Sequence, residues 1–476
     1  MLSPMLRQPP GETPSGGRAA RRLQDREIAR LAVPAFAALV SEPLFLLADA
    51  AIVGHLGTPQ LAALGIAGTV VQTVIGAFVF LAYGTTSAVA RNLGADRRGD
   101  ALEAGVDGIW LALVIGALAA LATLATSSQL VDWFSPSPEV RGFALTYLRI
   151  AGFGIPALLM MFAATGVLRG LQDTRTPLLV AISANTVNIG LNVGFVYGLG
   201  WGIAGSALGT LTAQTAGAAA LVLVVARVAG GAGAALLPHR RGMRAAWRAG
   251  VPLLVRTLSL RATLVLATYV ATSISTVAVA AHQVAFTVWT FLAFALDAIA
   301  IAGQAITGRL LGAGDAAGAR EAATRMTWWG VASGVVLGAA VIAVRPLLVP
   351  LFTDDAAVRH ALTTVLLIVG LQQPVAGVVF VLDGVLIGAG DGRYLAWVGL
   401  LNFAVFAPLA MAVWEFDGGL VQLWLAFVAF MVMRMLTLIA RARSDRWLVL
   451  GAIAVARTGR GPAPGSAAIR RRRPRG

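Results

Sequence analysis

Cysteine is absent from the 476 residues, which excludes disulfides and thiol chemistry. Lysine is absent too, and all 37 basic residues are arginine. Charge of either sign is scarce. Only 12% of residues are charged, about half the share of a soluble globular domain. The first 25 residues lack the apolar core of a cleavable signal peptide. No basic stripe with stacking aromatics appears, so the net charge of +15 does not point to nucleic acid. No nucleophile–base pair or metal-ligand cluster appears either. The expectation is therefore a protein that is no enzyme and needs no cofactor or metal.

Apolar surface is what the chain has in abundance. Hydrophobic residues make up 58% of the sequence and the mean hydropathy is +0.80. Those values over this length indicate a polytopic membrane protein. Twelve runs are long enough to cross a bilayer: 28–53, 58–84, 100–127, 140–168, 177–198, 202–228, 246–272, 277–304, 320–345, 358–388, 394–413 and 418–440. Pro34, Pro43, Pro156, Pro252 and Pro374 fall inside runs and are expected to kink their helices. Arg91, Arg97, Arg98, Arg169, Arg175, Arg240, Arg241, Arg244, Arg309 and Arg393 follow the even-numbered runs, while the other loops are mostly neutral or acidic. The positive-inside rule then puts both termini in the cytoplasm. Residues 1–25 and 444–476 read as disordered basic tails.

A shift of 218 residues superposes the halves without a gap. Arg30 meets Arg248, Arg91 meets Arg309, Arg141 meets Arg359 and Arg175 meets Arg393, where roughly one arginine match is expected by chance. "GVLRGLQDTR" (166–175) meets "GVLIGAGDGR" (384–393). Six spans per repeat keep one orientation, the parallel type of transporter repeat, with the substrate site between halves near mid-membrane. The expected architecture is all-α. A six-helix lobe (26–230), a cytoplasmic linker (231–245) and a second six-helix lobe (246–443) follow one another.

"LLADAAIVGHLG" in span 1, "RNLGAD" after span 2, "GVLRGLQDTRTPL" after span 4 and "AAHQVAF" in span 8 resemble the multidrug and toxic compound extrusion (MATE) transporters, most closely their DNA-damage-inducible protein F (DinF)-like branch. The resemblance covers residue 26 to about 443. It implies two lobes in a V, alternating access, and export of lipophilic, often cationic compounds against inward H⁺ or Na⁺. The expected home is a bacterial cytoplasmic membrane, with the protein a monomer among its lipids. A lipid-linked oligosaccharide flippase of the same superfamily and a non-transporting membrane scaffold are the alternatives.

Carboxylates inside a bilayer usually mark ion pathways, with a structural arginine pair as the bland alternative. Asp49 lies 19 residues past Arg30, roughly 28 Å along a helix, and Glu42 roughly 18 Å. Their i, i+7 spacing puts both on one face, so both are expected to line one cavity as ion-coupling groups. The resemblance makes Asp49 the coupling carboxylate of the first lobe. Asn185, Asn188 and Asn192 form one polar stripe in span 5, expected to line the cavity. In relatives, an Asp commonly stands at the place of Asn192; an amide cannot carry a proton, which tilts the expectation towards H⁺. Gln72 and Gln283 are further cavity candidates, with ordinary interhelical bonds as the alternative. His282 is expected near the outer end of span 8, solvated or helix-bonded. In the second half, Asp49's partner is Ala267. Arg256, Arg261, Asp297 and Asp383 there suggest mutual pairing, or a second ion site centred on Asp383.

Overall fold

The computed structural model describes residues 16–452, and all regular structure among them is helical. The first half comprises α1 (Gly16–Gly54), α2 (Thr58–Ala77), α3 (Phe80–Gly94), α4 (Arg98–Ala125), short α5 (Ser127–Asp132), α6 (Pro138–Gly152), α7 (Ile155–Gly170), α8 (Arg175–Val193) and α9 (Gly202–Gly231). The second comprises α10 (Arg240–Ile274), α11 (Thr276–Gly312), α12 (Ala316–Phe352), α13 (Ala356–Leu371), α14 (Gln373–Gly388), α15 (Gly392–Glu415) and α16 (Leu420–Arg443). Ten segments are long and apolar enough to cross a membrane, with α2 and α3 forming one of them. The bent pairs α6–α7 and α13–α14 bring the total to twelve. Leu118, Leu121, Leu347, Leu351 and Trp397 are exposed on the outside, as lipid-facing surface requires.

Proline placement explains the bends. Pro156 and Pro374 are repeat partners. Each sits in the first turn of its helix, where its missing N–H leaves no helical bond unmade. The chain turns there by 46° and 50°. Pro34, Pro43 and Pro252 instead lie inside helices that run on without a break, so the expected kinks do not interrupt α1 or α10. Side chains hold the tight turns. Asp355 accepts the amides of Ala357 and Val358, and Ser275 accepts that of Ala278, where α10 passes into α11.

The packing repeats as the sequence does. α1 lies on α8 as α10 lies on α15, α4 on α7 as α12 on α14, and α3 on α7 as α11 on α14. The lobes meet where the repeat partners α3 and α11 end. A Cβ on Gly94 would enter the backbone of Arg309, and one on Gly312 would enter that of Arg91. Only glycine allows this reciprocal crossing. α1 also packs along α11, and α10 against α3 and α4. At the opposite end α2 touches the second lobe chiefly through α10. The lobes are thus closed at the end with the basic loops.

The expected tails begin elsewhere. Helix α1 starts at Gly16, and its Asp25 takes a bidentate bond from Arg325 (2.8 and 2.6 Å) and one from Trp329 Nε1 (2.8 Å). Past residue 444 the chain is anchored by Trp447, which is 1% exposed. Arg91 donates there to the carbonyls of Val449 and Gly451 and, in the second lobe, to Ala389 at 2.7 Å. Residues 1–15 and 453–476, the rest of both expected tails, lie outside the described residues. The linker is anchored to the first lobe: Glu103 accepts the amide of Ala235 (3.4 Å) and Asp107 that of His239 (2.7 Å).

Candidate functional site

Asp49 is 3% exposed, in the last turns of α1. Asn192 of α8 donates to its Oδ1 at 2.7 Å, and Ser206 of α9 donates to the same oxygen at 2.8 Å. The Tyr147 hydroxyl of α6 reaches Oδ2 at 3.5 Å. Four helices therefore converge on one carboxylate, and every donor is neutral. Among the described residues, no arginine or histidine lies within ion-pair distance of it. Further buried polar atoms near these donors are unpartnered: Asn192 Oδ1, both side-chain atoms of Asn188 one turn away, and Thr210 Oγ1 one turn from Ser206.

Glu42 does not join this group. It is exposed, and its carboxylate accepts from Gln72 of α2 at 3.3 Å. The i, i+7 spacing does not give the two acids the same neighbours. Asp49 is covered by α6, α8 and α9, while Glu42 looks towards α2. The asparagine stripe divides in the same way. Asn188 and Asn192 are buried in the lobe, while Asn185 donates to the Ser41 carbonyl at 3.3 Å and fastens α8 to α1. Gln283 is exposed on α11.

The expected four-charge set of the second lobe is only partly assembled. Arg256 Nε donates to Asp383 Oδ1 at 3.1 Å, and its Nη2 meets Oδ2. The second cation on Asp383 is Arg434 of α16, at 3.5 Å. Asp297 makes no ion pair among the described residues. Arg261 is exposed and pairs with no acid among the described residues; its guanidinium lies against Gly76 of α2, across the gap between lobes. His282 is 3% exposed, not solvated, with Nε2 3.3 Å from Thr268 Oγ1 and its ring against Phe286 and Trp424.

Sequence reasoning missed Tyr147, Ser206, Thr210 and Arg434. Arg434 carried a signal, being a charge inside an apolar span. The hydroxyl residues carried none, because isolated Ser, Thr and Tyr are ordinary in membrane helices. The repeat shows how the lobes diverged. The partners of Asp49, Tyr147, Asn192 and Ser206 are Ala267, Val365, Ala410 and Trp424, so the second lobe fills the equivalent place with apolar and aromatic groups.

Two parallel six-span lobes, one holding a buried carboxylate bonded only by neutral donors, define a two-lobed membrane transporter. A family model described as MatE matches residues 34–194 and again 252–412, offset by the same 218 residues as the internal repeat. The chain belongs to the multidrug and toxic compound extrusion family, whose members are transporters. It is 31% identical over 425 residues to Protein DETOXIFICATION 44, chloroplastic, of Arabidopsis thaliana, covering 86% of this chain and 80% of the relative. It is 29% identical over 436 residues to DNA damage-inducible protein F of Escherichia coli, covering 87% and 91%. The bent form of the Vibrio cholerae MATE transporter VcmN superposes with a TM-score of 0.82 at 21% identity, covering 90% of this chain and 99% of that one.

Proposed function

We propose that the protein is a secondary active exporter, moving lipophilic or cationic compounds out of a bacterial cell in exchange for H⁺, with Asp49 as the coupling group. The contrast between two buried carboxylates carries this reading. Asp383 is flanked by two arginines and needs no further cation. Among the described residues Asp49 has only neutral partners, so an exchangeable cation must neutralise it as its surroundings lose water.

With the basic loops in the cytoplasm, the closed end of the molecule is the cytoplasmic gate and the gap at α2 and Arg261 faces outward. In this arrangement Asp49 takes up a proton from outside, and loss of its charge releases a bound cation. The lobes then separate at Gly94 and Gly312 and the proton leaves inward. The monomer holds the whole pathway in this scheme.

A second reading, Na⁺ as the coupling ion, draws on the unpartnered oxygens of Asn188, Asn192 and Thr210. Neutral oxygens beside a carboxylate are ligands for a hard cation. The flippase alternative needs a basic cavity; of the two arginines it would draw on, Arg256 is bound to Asp383 and Arg261 lies at the gap. Reconstituted protein loaded with a fluorescent cation separates the two ions. Efflux driven by ΔpH alone supports H⁺, efflux driven by Na⁺ alone supports Na⁺, and efflux by neither in protein that binds the dye overturns the antiport reading.

A further inference from the structure

A cavity of about 100 Å³ lies between α3, α4 and α10, far along the chain from Asp49. Phe80, Leu81, Ala246, Ala249 and Leu253 make its walls apolar. Gly84 opens onto it, and a Cβ added there would meet no atom within 4 Å. Thr85, Ser87 and Asn92 interrupt the lining; the hydroxyls of Thr85 and Ser87 are spent on the carbonyls of Leu81 and Gly388, which leaves Asn92. Asn92 is 1% exposed, with Nδ2 bonded to the Ala88 carbonyl at 2.9 Å and Oδ1 without a partner. It sits two residues from the end of α3, hence at the mouth nearest the basic loops.

Ala245 belongs to this slot and also to a neighbouring depression formed by Arg241, Arg244 and Arg248. The three arginines lie at i, i+3 and i+7 on the first turns of α10, one face of a helix. Among the described residues none has an acid within 4 Å. Three guanidiniums beside an apolar slot match an amphipathic anion. Guanidinium forks suit phosphate oxygens, and α10 enters the bilayer here, at the depth of lipid headgroups. The unpartnered Asn92 oxygen calls for a donor at the slot mouth, which a hydroxylated headgroup carries.

We propose that this slot binds one anionic glycerophospholipid, with a few carbons of one acyl chain held in the slot between the lobes, its phosphate on Arg241, Arg244 and Arg248, and a headgroup hydroxyl at Asn92. α3 and α4 of the first lobe and α10 of the second line the slot, so it exists in this form only while the lobes are closed here. A lipid in it favours the closed arrangement by its differential affinity. The proposal does not depend on which ion drives transport.

The experiment measures thermal unfolding of the purified full chain in detergent against added phosphatidylglycerol, phosphatidylcholine with the same acyl chains, or inorganic phosphate. Phosphatidylglycerol is expected to raise the midpoint and saturate, with the other two inert. Native mass spectrometry should retain one such lipid per chain. Each Arg→Gln change among Arg241, Arg244 and Arg248 should weaken binding about fivefold, roughly a hundredfold for all three. Gly84→Leu fills the slot, leaves the arginines in place, and should abolish the retained lipid. Three outcomes overturn the proposal: no phosphatidylglycerol effect, an equal effect of phosphate alone, or an effect that persists in Gly84→Leu and so belongs to the general lipid annulus.

Discussion

The side-chain amide of Asn192 donates to Asp49 Oδ1 at 2.7 Å, joining α8 to α1 inside the first lobe. Ser206 shares that oxygen from α9, so the carboxylate is held from two helices by groups that carry no charge. Asp49→Asn keeps the size of the side chain and removes the exchangeable charge. It should leave expression and folding intact while abolishing ion-driven efflux in vesicles. Full efflux in this variant would remove Asp49 from the coupling step.

Asn192→Ala tests the support around that charge. It deletes one donor to a buried carboxylate, a loss worth about 1–3 kcal/mol. Transport should fall with a lower unfolding midpoint, and Ser206→Ala should act in the same direction. Additive effects would mean independent donors; a double variant worse than the sum would show that one bond substitutes for the other.

Asp383 gives the opposite outcome from Asp49. Asp383→Asn leaves Arg256 and Arg434 buried together without a counter-charge. Removing one partner of a buried pair typically costs about 3–5 kcal/mol. The midpoint in detergent should drop sharply, and replacing both arginines along with Asp383 by apolar residues should recover most of the loss. A second ion site would instead show normal stability and altered coupling stoichiometry.

Arg91 holds the closed end of the molecule, with bonds to the carbonyls of Ala389, Val449 and Gly451. Arg91→Ala releases both the second lobe and the segment after α16. Asn92→Cys, buried in this arrangement, should then react with a water-soluble maleimide from the cytoplasmic side at least several times faster than with Arg91 present. The chain has no cysteine of its own to confuse the signal. Equal labelling would mean that the Gly94–Gly312 crossing holds the gate unaided.

The exposed pair Asp132–Arg141 sets a bound on pH effects. Arg141 donates twice to Asp132 (2.6 and 3.0 Å) and holds its carboxyl below the usual range. A lowered carboxyl contributes stability above its ordinary value, lost only as the pH falls through the lowered one. Between about pH 5 and 8 the pair stays ionised, so Asp132→Asn should leave the pH profile of efflux unchanged in that window.

The twelve spans, the parallel repeat and Asp49 were all legible in the sequence. Apolar run length follows from bilayer thickness, and an acid inside such a run stands out against its neighbours. Glu42 shows the limit of that logic. Its spacing from Asp49 fixes a helix face but not which neighbouring helix covers each turn, and here α2 takes Glu42 while α6, α8 and α9 take Asp49. Arg434 shows the same limit for pairing. Intramembrane charge can be counted from sequence, but its partner sits 51 positions away at Asp383 and is chosen by how α14 and α16 pack. By itself the sequence determined the membrane environment, the two-fold repeat and which spans carry charged or amide side chains, because these depend on local composition and period. Which oxygen meets which donor, which arginine is neutralised, and which end is closed were decided by the tertiary structure, because each depends on side chains that helices far apart in the chain bring together.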